Sequence, residues 1–182
     1  APEAAAPAPA AGGASGADVP DEPFTASSAI RALLALSAKI RLDEVGDSDT
    51  TESLTNGVSS RRNQLLMDMS AELGLNSIDG AGEADVRTLC ATVDKAAKGY
   101  KPFGAVLSEA VKERTRKLFG AAGAKASRIG ERVTGTWQLG SGWASHVTIE
   151  IVLGTREGAS TRDGDLATLP VDAPSNAAGV DA

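Results

Sequence analysis

Residues 56–74 read NGVSSRRNQLLMDMSAELG. An Asn-Gly pair interrupts the chain, two serines follow, and Leu65, Leu66, Met69 and Leu73 then recur at helical spacing. The pattern predicts a helix over 59–74, with Gly74 as a natural left-handed stop. A serine therefore stands at a helix start directly after the longest polar stretch inside the chain, 42–58. Two readings of Ser59 are open. Its hydroxyl can serve as an N-cap, accepting a bond from a backbone N–H two or three residues on. Alternatively it is a modification site, because a helix start offers free N–H groups and the positive end of the dipole to an attached phosphate. Arg61 and Arg62 add positive charge beside it.

Outward from this segment the period stays helical. Thr25 can cap a helix running to about residue 41, with Ile30, Leu33, Leu34 and Ala38 on one stripe. Another runs over about 83–98 on Val86, Leu89, Cys90 and Val93, and stops at Gly99. Pro102 suits the first turn of a helix to about 119 that carries Phe103, Val106, Leu107, Ala110 and Val111. After a Gly/Ala hinge at 120–124, a further helix is predicted over 126–139 with Ile129, Val133 and Trp137 inward. The last segment, 142–153, is ambiguous. HVTIEIVL alternates in part like a strand, while Trp143, Val147 and Ile151 are spaced four apart. A lone strand would have no partner in the chain, which favours a helix.

The composition agrees with helices. Of 182 residues, 42% are hydrophobic but only 3% aromatic, a poor supply for a sandwich or barrel core. The length suits one domain, or one domain with a small annex. The single cysteine, Cys90, excludes an internal disulfide and a cysteine-based zinc site, and the single histidine, His146, excludes a multi-histidine metal site. No apolar run approaches the ~20 residues of a membrane span. The sequence lacks a Walker A or GxGxxG pattern. Cys90 and His146 can be imagined as a nucleophile and its base, but a lone cysteine on a buried stripe is usually a small hydrophobe.

The net charge of −6 is unevenly placed. Residues 1–23, APEAAAPAPAAGGASGADVPDEP, hold Glu3, Asp18, Asp21 and Glu22 and no base. Residues 155–182 hold five acids against Arg156 and Arg162. Both ends read as flexible linkers poor in large apolar residues. The first lacks the basic and apolar regions of a secretory signal, and the absence of an initial Met reads as a piece of a longer chain. Between them, sixteen bases and fifteen acids leave 24–154 near neutral, which is no footprint for nucleic acid. Within that body 24–79 is acidic and 80–154 basic. Asp68 and Glu72 are expected on the exposed side of the Ser59 helix, with Asp43, Glu44, Asp47 and Asp49 in the preceding loop. This is either a solvated face or a docking face for basic rims of partner active sites.

Taken in order, these residues carry a resemblance. An Ala/Pro linker, IRALLALSAKIRL, a long loop, then GVSSRRNQLL and an extension through Tyr100-Lys101-Pro102 resemble the acyl carrier protein domain of type I fatty acid synthases of actinobacteria, and more distantly of fungi. The similarity covers roughly 24–154, and TWQLGSGWASHVTIEIVLGTREG resembles the run leading out of that carrier. It implies an all-α fold: a four-helix acyl carrier bundle extended by a second helical subdomain, with disordered linkers at both ends. The implied divisions are a linker at 1–23, a carrier core at 24–99, a helical subdomain at 100–154 and a linker at 155–182. It further implies covalent 4′-phosphopantetheine on Ser59, with Ser60 in reserve, since Val58 and Ser60 depart from the Asp-Ser-Leu triplet of free-standing carriers. Arg61, Arg62, Asp68 and Glu72 would then face the partners. These are the ketosynthase, ketoreductase, dehydratase, enoyl reductase and acyltransferase domains, and a phosphopantetheinyl transferase. On this reading the chain has no catalytic residue or metal of its own and works in the cytoplasm. The competing expectation is a non-catalytic helical scaffold in which Ser59 is only a cap.

Overall fold

The computed structural model describes residues 18–155; of the expected linkers 1–23 and 155–182, residues 1–17 and 156–182 lie outside the described residues. Among the described residues there are helices and no strand. They are α1 (Ala26–Ala38), α2 (Thr51–Leu54), α3 (Ser59–Leu73), α4 (Val86–Ala96), α5 (Ala105–Phe119), α6 (Ser127–Glu131) and α7 (Ser141–Gly154). The all-α expectation holds, and the ambiguous last segment is helical. No helix among these residues is long and apolar enough to cross a membrane.

Helix α1 lies at the centre. Thr25 and Ser28 form a reciprocal capping box at its start, which satisfies two otherwise orphaned N–H groups. Its end falls earlier than the apolar pattern suggested, because Lys39 turns left-handed (φ 59°) and its N–H closes onto Ala35 and Leu36. Ala29, Ile30, Ala32, Leu33, Leu34 and Ala35 are all buried, so α1 is covered on more than the single stripe that its leucines mark. The alanines permit this by letting neighbours approach closely. Helices α3 and α4 pack on it directly, and α7 touches it from a different side.

The main core joins Leu65 and Met69 of α3, Val86, Leu89 and Val93 of α4, Leu107 and Val111 of α5, and Ile149 and Val152 of α7. A smaller cluster of Leu118, Phe119, Ile129 and Val133 sits where the end of α5 meets α6 and α7. The helices beyond residue 100 thus contribute to both cores. The expected helix over 126–139 is interrupted: α6 ends at Glu131 and Arg132–Thr136 forms one wider π-type turn. That turn leaves Trp137 44% exposed rather than inward.

Helix α5 starts later than Pro102 suggested, and the reason is Glu72. Its carboxylate is 3% exposed and faces the start of α5. It accepts hydrogen bonds from the Gly104, Val106 and Leu107 N–H groups at 2.6, 2.9 and 2.7 Å, and from the Tyr100 hydroxyl at 2.5 Å. One side chain on α3 therefore caps α5, where free N–H groups and the helix dipole favour a negative charge. Gly104 makes this contact possible: a Cβ there would collide with the Glu72 backbone carbonyl and lie 2.9 Å from Oε1. The expectation that Glu72 lies on the exposed side of its helix is thereby corrected. Its spacing was the overlooked signal, since 65, 69 and 72 follow one helical stripe.

Removing the carboxylate leaves three N–H groups and a phenol without their acceptor, so Glu72→Ala should lower stability by about 3 kcal/mol, measured by urea unfolding. Tyr100→Phe removes one of these bonds and should cost about 1.5 kcal/mol. Burial, reinforced by the Glu72 carboxylate, pushes the Tyr100 phenol above its ordinary value. A folded-state pKa raised above the unfolded one gives stability that is complete below the unfolded value, about pH 10, and lost as pH rises past it. Urea midpoints between about pH 9 and pH 11 should therefore fall more steeply in the unmodified sequence than in Tyr100→Phe.

Candidate functional site

The polar stretch before Ser59 is an ordered pedestal. Thr50 caps α2 in a box with Ser53 (3.1 and 2.9 Å), and Thr55 Oγ1 donates to Thr51 O at 2.6 Å. Thr51 is buried and its hydroxyl donates to Gly82 O at 3.2 Å, which ties α2 to the turn before α4. Val86 N and Arg87 N bond to Asp49 O and Asp47 O at 2.8 and 3.0 Å. The buried threonines explain how a polar sequence can pack: each hydroxyl that leaves water finds a backbone acceptor.

The acids of this stretch are engaged locally. Arg41 pairs with Asp43 at 2.8 Å, and Glu44 accepts the Arg41 N–H at 2.6 Å. Asp49 accepts from Gly46 N at 2.8 Å. Asp47 is bridged by Arg31 and, at 3.3 Å, by Arg87. These two guanidinium groups hold the Asp47 carboxyl below its ordinary range, first through the hydrogen bond from Arg31.

From α2 the chain reverses through two consecutive left-handed residues, Asn56 (φ 52°) and Gly57 (φ 70°). Gly57 N bonds to Glu52 O at 2.9 Å and Val58 N to Thr55 O at 3.1 Å. Val58 is then the N-cap of α3 with extended backbone, and its carbonyl takes the Arg62 N–H at 3.0 Å. Ser59 is the first helical residue. No side-chain hydrogen bond caps this helix, so the N-cap reading of Ser59 is corrected. A valine side chain cannot accept a bond, which leaves the first N–H groups of α3 without a side-chain acceptor among the described residues.

Ser59 and Ser60 are both exposed. Val58, just before them, is 43% exposed and Met67, about two turns further along α3, is 66% exposed; the sequence pattern did not single out either apolar side chain. Met67 falls between Leu66 and Asp68, off the Leu65–Met69 stripe, and that offset was its signal. Arg61 is exposed, while Arg62 stands 4.0 Å from Glu52, a loose contact across the turn. Asp68 is half-buried and accepts from Gln64 Nε2 at 2.8 Å. Of the four residues expected to face partners, Arg61 and Arg62 lie in or next to the first turn of α3, Asp68 sits further along the same helix, and Glu72 is buried near its end.

The alternative nucleophile is not assembled. Cys90 is buried on α4 with Sγ 4.0 Å from Ser27 O, and burial pushes its thiol up, away from the reactive thiolate. His146 on α7 instead contacts Pro23 O at 3.2 Å and the Phe24 ring at 5.0 Å. Among the described residues no His, Cys, Asp or Glu group gathers as a metal site.

Fold and site together define a small helical domain that presents serine hydroxyls at the start of its third helix from a fixed turn. The chain matches the model of the fatty acid synthase subunit alpha acyl carrier domain over residues 20–161, and it belongs to that family. No curated protein matches it. Its general role is therefore that of an acyl carrier domain of a fatty acid synthase, working with the catalytic domains of that synthase.

Because Ser59 is not a cap, Ser59→Ala should change stability by less than about 0.5 kcal/mol, against the ~1 kcal/mol lost when a true cap is removed. Gly57→Ala forces a Cβ into a left-handed turn and should cost about 1 kcal/mol. Urea unfolding of both variants distinguishes the turn from the hydroxyl.

Proposed function

We propose that Ser59 Oγ carries 4′-phosphopantetheine and that the domain holds malonyl and growing acyl groups as thioesters between the synthase active sites. The observation that carries this reading is the Ser59 hydroxyl itself: exposed, uninvolved in capping, and on the first turn of α3. The residues fit the group. The free N–H groups of that turn and the exposed Arg61 favour a phosphodiester there. The pedestal below contributes a fixed presentation to the transferase. In that transfer the serine oxygen forms a phosphodiester, the phosphoanhydride of coenzyme A breaks, and the nucleotide half leaves. When attached, the arm supplies a terminal thiol for thioester exchange. Cys90, buried and held as a thiol, stays outside that chemistry.

The docking face follows from what is exposed around Ser59. Val58 before the serine and Met67 further along α3 offer apolar contact, with Arg61 and Arg62 near the helix start and the half-buried Asp68 beyond them. Such a face gives brief, orientable contact with the ketosynthase, ketoreductase, dehydratase, enoyl reductase and acyltransferase domains. Linkage within the synthase raises the effective concentration at each site to the mM range, so weak docking suffices. The domain itself carries and the partner domains catalyse.

Coexpression with a phosphopantetheinyl transferase should add one phosphopantetheine mass to the chain, read by intact mass spectrometry. Ser59→Ala should abolish the addition and Ser60→Ala should retain it. Full modification of Ser59→Ala would move the attachment to Ser60. Absence of modification in the unaltered sequence would overturn the proposal.

A further inference from the structure

The residues just before α1 are built onto the start of α7. Asp21 accepts the Gly142 and Trp143 N–H groups through Oδ2 and Oδ1, each at 3.2 Å. Pro20 O accepts Trp143 Nε1 at 2.9 Å, and Pro23 O contacts His146 Nε2 at 3.2 Å. The N-cap of α7 is Gly140, which has no side chain to offer, so Asp21 caps this helix across 121 residues of sequence. Two glycines make the space. A Cβ on Gly140 would collide with Asp21, and one on Gly142 with the Glu22 carbonyl. Residues 18–23, expected to belong to the linker, thus have a fitted seat.

That seat is shallow. Residues 18–23 are exposed, and the first buried apolar side chain is Phe24, packed against Phe103 at 5.4 Å. The capping box of α1 begins at Thr25 and does not involve the strap. A segment held by a few surface hydrogen bonds opens at lower free energy than the core beneath it. Helix α3 packs on α1, α2 and α5, whereas α7 packs on α1, α5 and α6, so the seat is built on a different helix from the one that bears Ser59.

We propose that residues 18–23 are a detachable strap over the α7 N-terminus, whose closure decides where the Ala/Pro-rich segment joins the folded body. Closed, the chain enters the folded body at the start of α7. Open, it enters at Phe24, and residues 18–23 can span up to roughly 20 Å before that point. The strap requires no group on Ser59, so it stands or falls apart from the arm.

Native-state amide exchange on the full chain tests it. The first N–H groups of a helix have no intrahelical acceptor, so protection at Gly142 and Trp143 reports Asp21 alone. Both amides should exchange at least about tenfold slower than free peptide, through an opening that urea barely promotes. Ile149 and Val152 should instead follow global unfolding. Asp21→Ala should remove protection at both amides, and Gly142→Ala should remove it at Trp143 by blocking the seat while leaving Asp21 in place. Free-peptide rates in the unaltered sequence would overturn the proposal. So would unchanged protection in Asp21→Ala, or a urea dependence at these amides equal to that of Ile149 and Val152.

Discussion

A buried carboxylate surrounded by donors ties the serine-bearing helix to the helix that follows residue 100. Glu72 sits among the last residues of α3, yet its oxygens organise the first turn of α5 and the Tyr100 hydroxyl. Burying a charge is unfavourable unless its lone pairs are matched, and here four donors converge on two oxygens. The consequence reaches well past the contact. Once its N-terminus is set, α5 delivers Leu107 and Val111 to the main core and Leu118 and Phe119 to the smaller one. Helix α7 then closes on both. The helices after residue 100 therefore share a core with those before it, joined through the helix that bears the serine.

The serine helix is governed by the opposite condition. At α5 the chain provides a cap from a distance; at α3 it provides none, since Val58 stands at the N-cap. Two helix starts in one domain are treated differently, and the uncapped one bears the exposed hydroxyls. Beneath it, the threonines of α2 and the backbone bonds to residues 82–87 make the preceding stretch firm. The acids there close onto Arg31, Arg41 and Arg87. An acidic sequence segment has become a set of local struts, while Val58 at the N-cap of α3 and Arg61 and Met67 along it are exposed.

The helices were legible because their apolar period is strong: Val86, Leu89, Cys90 and Val93 are all buried as spaced. Ser59 was legible as a helix start because an Asn-Gly reversal precedes an apolar repeat. Glu72 was misread because its charge was given more weight than its position on the stripe. Trp137 was misread because a π-type turn shifts the register after Glu131, and no residue in that run announces it. Asp21 lay beyond sequence reading altogether: its partners are the backbone groups of residues more than a hundred positions away.

By itself the sequence determined the helical class, the order of the helices, the start of α3 at Ser59 and the family resemblance. Those depend on local period, turn chemistry and residue order, which neighbouring residues carry among themselves. Tertiary structure decided which carboxylates are struts and which remain at the surface, whether Ser59 caps its helix, and where residues 18–23 lie. Burial of a polar side chain depends on donors brought from elsewhere in the chain, and only folding brings Tyr100, Gly104 and Leu107 to Glu72, or Gly142 to Asp21.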